Sequence, residues 1–217
     1  MSVRLAVFDC DGTLVDGQAA ICAAMAAGFA ETGLPAPDPH QVRRIVGLSL
    51  PHAVARLAPE LPDAMRERVV QGYKQAFFRA RSEGSLQEPL FAGMGELLAR
   101  LHRAGWMLGV ATGKSDRGLN GCLAMHGIGE LFVTLQTADR HPSKPHPAML
   151  HAAMAEAGAA PAETVVIGDT AYDIEMARAA GVRALGVAWG YHEAEELLAA
   201  GAEAVAQTAA ELEGLLG

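Results

Sequence analysis

The chain is short of several residue types, and each shortage narrows what it can be. It holds only three cysteines, Cys10, Cys22 and Cys122, with no Cys-x-x-Cys spacing. A disulfide framework or a thiolate zinc site is therefore not expected, and the thiols read as free groups in a reducing compartment. No lysine or arginine run occurs, and 17 basic against 25 acidic residues give a net charge of −8. Non-specific nucleic-acid binding depends on many phosphate-neutralising cations, so no nucleic-acid partner is expected. No apolar stretch reaches the ~20 residues of a membrane helix. The first apolar run breaks at Asp9 with no cationic region before it, unlike a secretory leader. The expectation is a cytoplasmic protein without a membrane partner.

Hydrophobic residues make up 51% of the 217, enough for a packed core in one large domain or a domain with an insertion. The most informative stretch is the first. Leu5-Ala6-Val7-Phe8 reads as a buried strand, and it ends in Asp9-Cys10-Asp11-Gly12-Thr13. Two carboxylates delivered to the carboxyl end of a buried strand stand where open α/β sheets bind ligands. Such charge needs a cation, a proton or a function. A calcium loop does not fit, because glycine comes fourth rather than sixth and a strand precedes. A plain Asp/Gly turn is the bland alternative.

Residues 17–33 place Ile21, Met25 and Phe29 on one helical stripe. Further helical stretches follow near 40–46, 50–58 and 62–82, and nothing in this region reads as a strand. From Leu90 the pattern alternates. Helices are expected at 94–104, 116–126, 146–157, 171–180, 193–200 and 208–216, with strands at 106–111, 131–135, 164–167, 182–187 and 203–206. Alternating strands and helices imply an α/β fold with a doubly wound parallel sheet. The domain expectation is a core of residues 1–15 and 86–217 with an all-helical insertion at 16–85.

Three more strand ends carry polar groups: Thr112-Gly113-Lys114-Ser115, the Ser143-Lys144-Pro145 loop, and Gly168-Asp169-Thr170-Ala171-Tyr172-Asp173. A nucleotide P-loop ending at Gly113-Lys114-Ser115 would need a glycine at 108, which is Leu108. With Asp9-x-Asp11-Gly12-Thr13, these stretches resemble, in order and spacing, the motifs of the haloacid dehalogenase superfamily. The likeness spans essentially the whole chain. The helical insertion is similar to that superfamily's C1 cap, and the nearest group is the phosphoglycolate phosphatases.

The resemblance implies a Rossmann-like core and a Mg2+-dependent phosphatase of small phosphorylated metabolites. It assigns Asp9 as the nucleophile that forms an aspartyl-phosphate, and Asp11 as general acid and then base. Lys144, Thr112 and the backbone around Gly12 and Gly113 would meet the charge of the transferring group. Asp9, Asp169 and the Asp11 carbonyl would hold magnesium, with Asp173 either a further ligand or a partner to water or Lys144. An aspartate at position 11 favours phosphomonoester chemistry over dehalogenation. In the cap, Gly47 and Ser49 match the substrate loop, although Ser49 is equally a helix N-cap and Thr112 equally a cap for the next helix. Lys114, His141 and His146 read as loop residues, and Asp16 as a brace for the hinge. A phosphosugar mutase is the alternative, weakened by Leu50 where such mutases carry arginine. A pyrophosphatase or nucleotide phosphatase would use the same residues, and a non-catalytic binding protein would be expected to have lost some of them. Monomer and homodimer remain equally open.

Overall fold

The computed structural model describes residues 3–217. Strand β1, Leu5–Phe8, has every residue buried. It is followed by α1 (Gln18–Ala30), α2 (Pro39–Arg44), α3 (Leu50–Leu57) and α4 (Asp63–Ser82). Alternation then begins with α5 (Met94–Arg103), β2 (Met107–Thr112), α6 (Asp116–His126) and β3 (Phe132–Thr137). It continues with α7 (Ala148–Ala157), β4 (Thr164–Gly168), α8 (Ala171–Ala180) and β5 (Arg183–Val187). The last elements are α9 (Ala194–Ala200), β6 (Ala204–Ala206) and α10 (Ala209–Leu216).

The six strands form one parallel sheet in the order β3-β2-β1-β4-β5-β6. The α/β expectation is met. The chain runs outward from β1 to β3, then returns to build β4 to β6 on the other side. The strand order therefore reverses beside β1, and the crevice at its carboxyl end is a natural ligand position. Because strand side chains alternate in direction, Ala6 and Phe8 face α5, α6 and α10, while Leu5 and Val7 face α7 and α8. A helical layer covers each face, which is why the central strands are apolar throughout.

The helical block has its own core. Ile21, Met25 and Phe29 of α1 pack with Val69 and Val70 of α4. Gly28 lets the two helices approach, since a Cβ there would sit 2.6 Å from the Val69 carbonyl oxygen. Two adjacent chain crossings link the block to the sheet. Val15 bridges Leu90 in antiparallel fashion, Asp16 N–H donates to the Pro89 carbonyl at 2.8 Å, and Phe91 N–H donates to that of Leu14 at 3.0 Å.

Some boundaries differ from expectation. Strand β3 runs on to Thr137, because Gln136 and Thr137 are buried and pair with Ala111 and Thr112. Helix α1 stops at Ala30, short of Gly33, and α7 starts at Ala148, with His146 and Pro147 outside it. Among the described residues no helix is long and apolar enough to cross a membrane.

Candidate active site

Asp9 extends β1 by one residue, donating its N–H to the Ile167 carbonyl at 2.9 Å. The chain then turns tightly. The Cys10 carbonyl accepts from Leu14 N–H at 2.9 Å and Val15 N–H at 3.0 Å, and Gly12 N–H donates to Val15 O at 2.9 Å. Gly12 has a φ of +87°, and a Cβ on it would lie 2.1 Å from Asp169 Oδ2. Only glycine satisfies both the turn and the neighbouring carboxylate.

Asp9, Asp169 and Asp173 are fully or almost fully buried and present carboxylate oxygens within 4.8 Å of one another. Lys144, buried beside them, puts its Nζ 2.9 Å from Asp9 Oδ1 and 2.6 Å from Asp173 Oδ1. The second Asp173 oxygen accepts from Thr170 N–H at 3.1 Å and Thr170 Oγ1 at 2.7 Å. Asp169 is held by Thr13 Oγ1 at 2.7 Å and by Tyr191 N–H at 3.0 Å. Asp9 differs from both. Its one close donor is the Lys144 ammonium, and no backbone N–H or hydroxyl donates to either carboxylate oxygen.

Burial, together with the charges of Asp173 and Asp11, pushes the Asp9 carboxyl up to about 7 against the pull of Lys144. Burial and the charges of Asp9 and Asp173 raise Asp169 well above the carboxylate range. One lysine does not neutralise this group. Three carboxylates supplying hard oxygens, with Asp9 met by no donor but Lys144, are the chemistry that a divalent cation such as Mg2+ satisfies. The residues present fit that ion.

Thr112 ends β2 facing the same crevice. Its Oγ1 accepts from Lys114 N–H at 3.2 Å, whereas the cap of α6 is Ser115, whose Oγ accepts from Gly118 N–H at 3.1 Å. The capping alternative for Thr112 is thus corrected. The block approaches the sheet here. A Cβ on Gly113 would lie 2.4 Å from the Leu48 carbonyl oxygen and 2.8 Å from that of Gly47. Ser49 N–H donates to Ser143 Oγ at 2.9 Å. Ser49 stands at the N-cap position of α3 without a capping hydrogen bond, and its Oγ pairs with His52 Nδ1 at 2.8 Å. Between block and sheet lies a cavity of about 570 Å³. Asp9, Asp11, Gly47, Ser49, Thr112 and Gly113 line it. Lys144, Asp169 and Asp173 are packed close to Asp9 with no more than 2% of their surface exposed.

Lys114 is not a solvated loop residue. Its Nζ lies 2.9 Å from Asp11 Oδ1 and 2.6 Å from Glu88 Oε1. Burial works against its charge, but Asp11 heads the opposing interactions, and the ammonium is held well above its usual value. Asp16 accepts from Gln18 N–H at 3.2 Å beside the crossing, and His141 pairs with Gln136 rather than facing open solvent. Thr13, Glu88 and Tyr191 also belong to the site's surroundings. Thr13 sat inside a motif already singled out, whereas nothing local in the sequence marked Glu88 as a partner of Lys114.

A family model described as haloacid dehalogenase-like hydrolase matches residues 6–187. The chain is 36% identical over 213 residues to the probable phosphatase IndB of Dickeya dadantii, covering 97% of this chain and 92% of that protein. It is 29% identical over 218 residues to a phosphoglycolate phosphatase of Vibrio vulnificus, covering 97% and 94%. In structure it is similar to a haloacid dehalogenase-like family hydrolase from Streptococcus pneumoniae. The TM-score is 0.86 at 26% identity, over 99% of both chains.

Proposed function

The chain belongs to the haloacid dehalogenase-like hydrolase family, and from that premise we propose that it is a Mg2+-dependent phosphatase of a small, phosphoglycolate-like metabolite, acting through an aspartyl-phosphate. The observation that carries this reading is Asp9. It is a buried carboxylate at the switch point of the sheet, with the Lys144 ammonium at 2.9 Å and no backbone N–H or hydroxyl donating to either oxygen. A carboxylate tied up by donors would make a poor nucleophile.

A phosphate monoester is a dianion, so charge must be offset before a carboxylate can approach it. Asp9 and Asp169, with the Asp11 carbonyl, are the groups suited to hold the cation. Bound there, magnesium supplies positive charge to the phosphoryl oxygens. Asp173 already gives one oxygen to Lys144 and the other to Thr170, which suits it to orient the lysine. Asp9 forms a bond to phosphorus as the ester P–O bond breaks, and Asp11 gives its proton to the departing alkoxide. Asp11 then takes a proton from water as that water's oxygen attacks phosphorus. The bond to Asp9 breaks and inorganic phosphate leaves. In this reading Thr112 Oγ1 and Lys144 meet the charge spread over the phosphoryl oxygens.

The helical unit 16–85 acts in this reading as a cap, with Gly47 and Ser49 presented over the cavity that receives the substrate. The free thiols Cys10, Cys22 and Cys122 suit a reducing cytoplasm. The test is phosphate release from a panel of p-nitrophenyl phosphate, phosphoglycolate, pyrophosphate, nucleotides and hexose phosphates. Each is assayed with magnesium, with chelator and with Asp9→Asn. Turnover that requires both metal and Asp9 supports the reading, and the ranking names the substrate. Folded, magnesium-binding protein that releases phosphate from none of them refutes it.

A further inference from the structure

The chain re-enters the sheet domain from α4 through Glu88-Pro89-Leu90. Glu88 lies one residue from the Pro89 carbonyl that receives Asp16 N–H, so it sits on the crossing itself. Its side chain has no exposed surface. Glu88 Oε1 accepts from Lys114 Nζ at 2.6 Å, while Oε2 lies 3.5 Å from Arg81 Nη2 of the last turn of α4. Lys114 in turn stands 2.9 Å from Asp11 Oδ1, and its Nζ lies 5.7 Å from the centre of the Phe77 ring. One ammonium thus bridges two buried carboxylates, one on the crossing and one in the catalytic loop. A buried ion array of this kind is a poor way to gain stability, because desolvation offsets most of the attraction.

We propose that Lys114 and Glu88 are positioning residues for Asp11. Glu88 fixes the ammonium, and the ammonium holds one Asp11 oxygen so that the other is presented to the cavity, where the leaving-group oxygen must lie. The inference rests on the reading of Asp11 as the acid that protonates that oxygen. It also gives the crossing a function: the position of Glu88, and with it the aim of Asp11, depends on how the helical unit is seated.

Proton donation matters for an alkoxide leaving group and hardly at all for p-nitrophenolate. The test therefore compares kcat/KM for p-nitrophenyl phosphate with that for the best alkyl phosphate of the panel, in wild type, Lys114→Met, Lys114→Arg, Glu88→Gln and the Lys114→Met, Glu88→Gln double variant. The expected result is a loss of about 10²-fold on the alkyl ester for Lys114→Met, the scale of general acid catalysis. On the aryl ester the loss should be several-fold only. Lys114→Arg should recover part of the difference, and Glu88→Gln should add little in the Lys114→Met background, because it acts through the lysine. Equal losses on both esters, or none, would overturn the inference while leaving the phosphatase reading intact. If wild type turns over neither ester, the functional reading itself fails and the inference with it. Should Lys114→Met not fold, the near-isosteric Glu88→Gln carries the same comparison, with a smaller alkyl-selective loss expected and an unselective one decisive against.

Discussion

Lys144 Nζ stands 2.9 Å from Asp9 Oδ1, with the lysine side chain wholly buried and that of Asp9 at 1% exposure. The same ammonium lies 2.6 Å from Asp173. Removing it would strip the proposed phosphoryl site of its fixed cation and leave two carboxylates uncompensated. Lys144→Met is expected to lower kcat by roughly 10²- to 10³-fold, as loss of one preorganised charge-stabilising donor does. The metal-free protein should also lose about 3–5 kcal/mol of stability, the cost of breaking a buried pair from one side. Steady-state kinetics and urea unfolding measure the two effects. A variant retaining near-normal kcat would remove Lys144 from the chemistry.

The acid cluster makes stability depend jointly on pH and metal. Asp9 is raised to about 7 and Asp169 is raised well above its ordinary value. An acid whose pKa is higher folded than unfolded binds more protons in the native state. Its contribution is therefore most favourable at low pH and declines as pH rises through the window between the two values. Chelated protein should lose melting temperature on going from about pH 5 to about pH 7.5, and Mg2+ should restore more at the higher pH. Thermal melts with EDTA and with Mg2+ at both pH values decide it. An equal magnesium effect at both would mean that these carboxylates are not the groups titrating.

Much of this was legible from local pattern. Helices α6 and α8 fall at the expected bounds because each begins after a hydroxyl residue, Ser115 or Thr170, and ends at a left-handed glycine, Gly127 or Gly181. Asp9 stood out because an apolar strand runs directly into it. What was hidden is non-local. Lys114 looked like loop charge because its partners, Asp11 and Glu88, are brought to it only by the sheet and the crossing. Gln136 and Thr137 read as loop because they are polar, yet they extend β3 and find partners in Glu156 and Asp116 across the fold.

Gly113 offers a test of how closely the helical unit must seat. A Cβ at this position would meet the Leu48 and Gly47 carbonyl oxygens at 2.4 and 2.8 Å, closer than any real contact. Gly113→Ala should push the Gly47–Ser49 loop outward while leaving Asp9, Lys144 and Asp169 in place. The expected outcome is a KM raised about tenfold or more, with Mg2+ affinity unchanged, because lost seating removes substrate contacts rather than the metal site. An unchanged KM would show that catalysis does not need this contact.

On the far side of the seat, Arg44 of α2 grips Glu196 of α9 through two parallel contacts, Nη1–Oε2 at 2.6 Å and Nη2–Oε1 at 2.7 Å. The Arg44 carbonyl also accepts from Tyr172 Oη and faces His192 Nε2, each at 3.3 Å. The ion pair is more than a third exposed, so its worth is about 1 kcal/mol or less despite the short distances. Hydrogen bonds from Arg44 and from Glu193 N–H hold the Glu196 carboxyl down at about 2. A depressed acid stabilises above its unfolded pKa and loses that contribution as pH falls toward the folded value. The stability difference between wild type and Arg44→Ala should therefore be small, level from about pH 8 to 5, and shrink as pH falls further. The effect on function should be larger than the effect on folding. Freed from α9, the helical unit should open more often, raising KM several-fold with kcat little changed. Urea unfolding across pH and steady-state kinetics separate the two. A loss of several kcal/mol with KM intact would make Arg44 a structural residue rather than a latch.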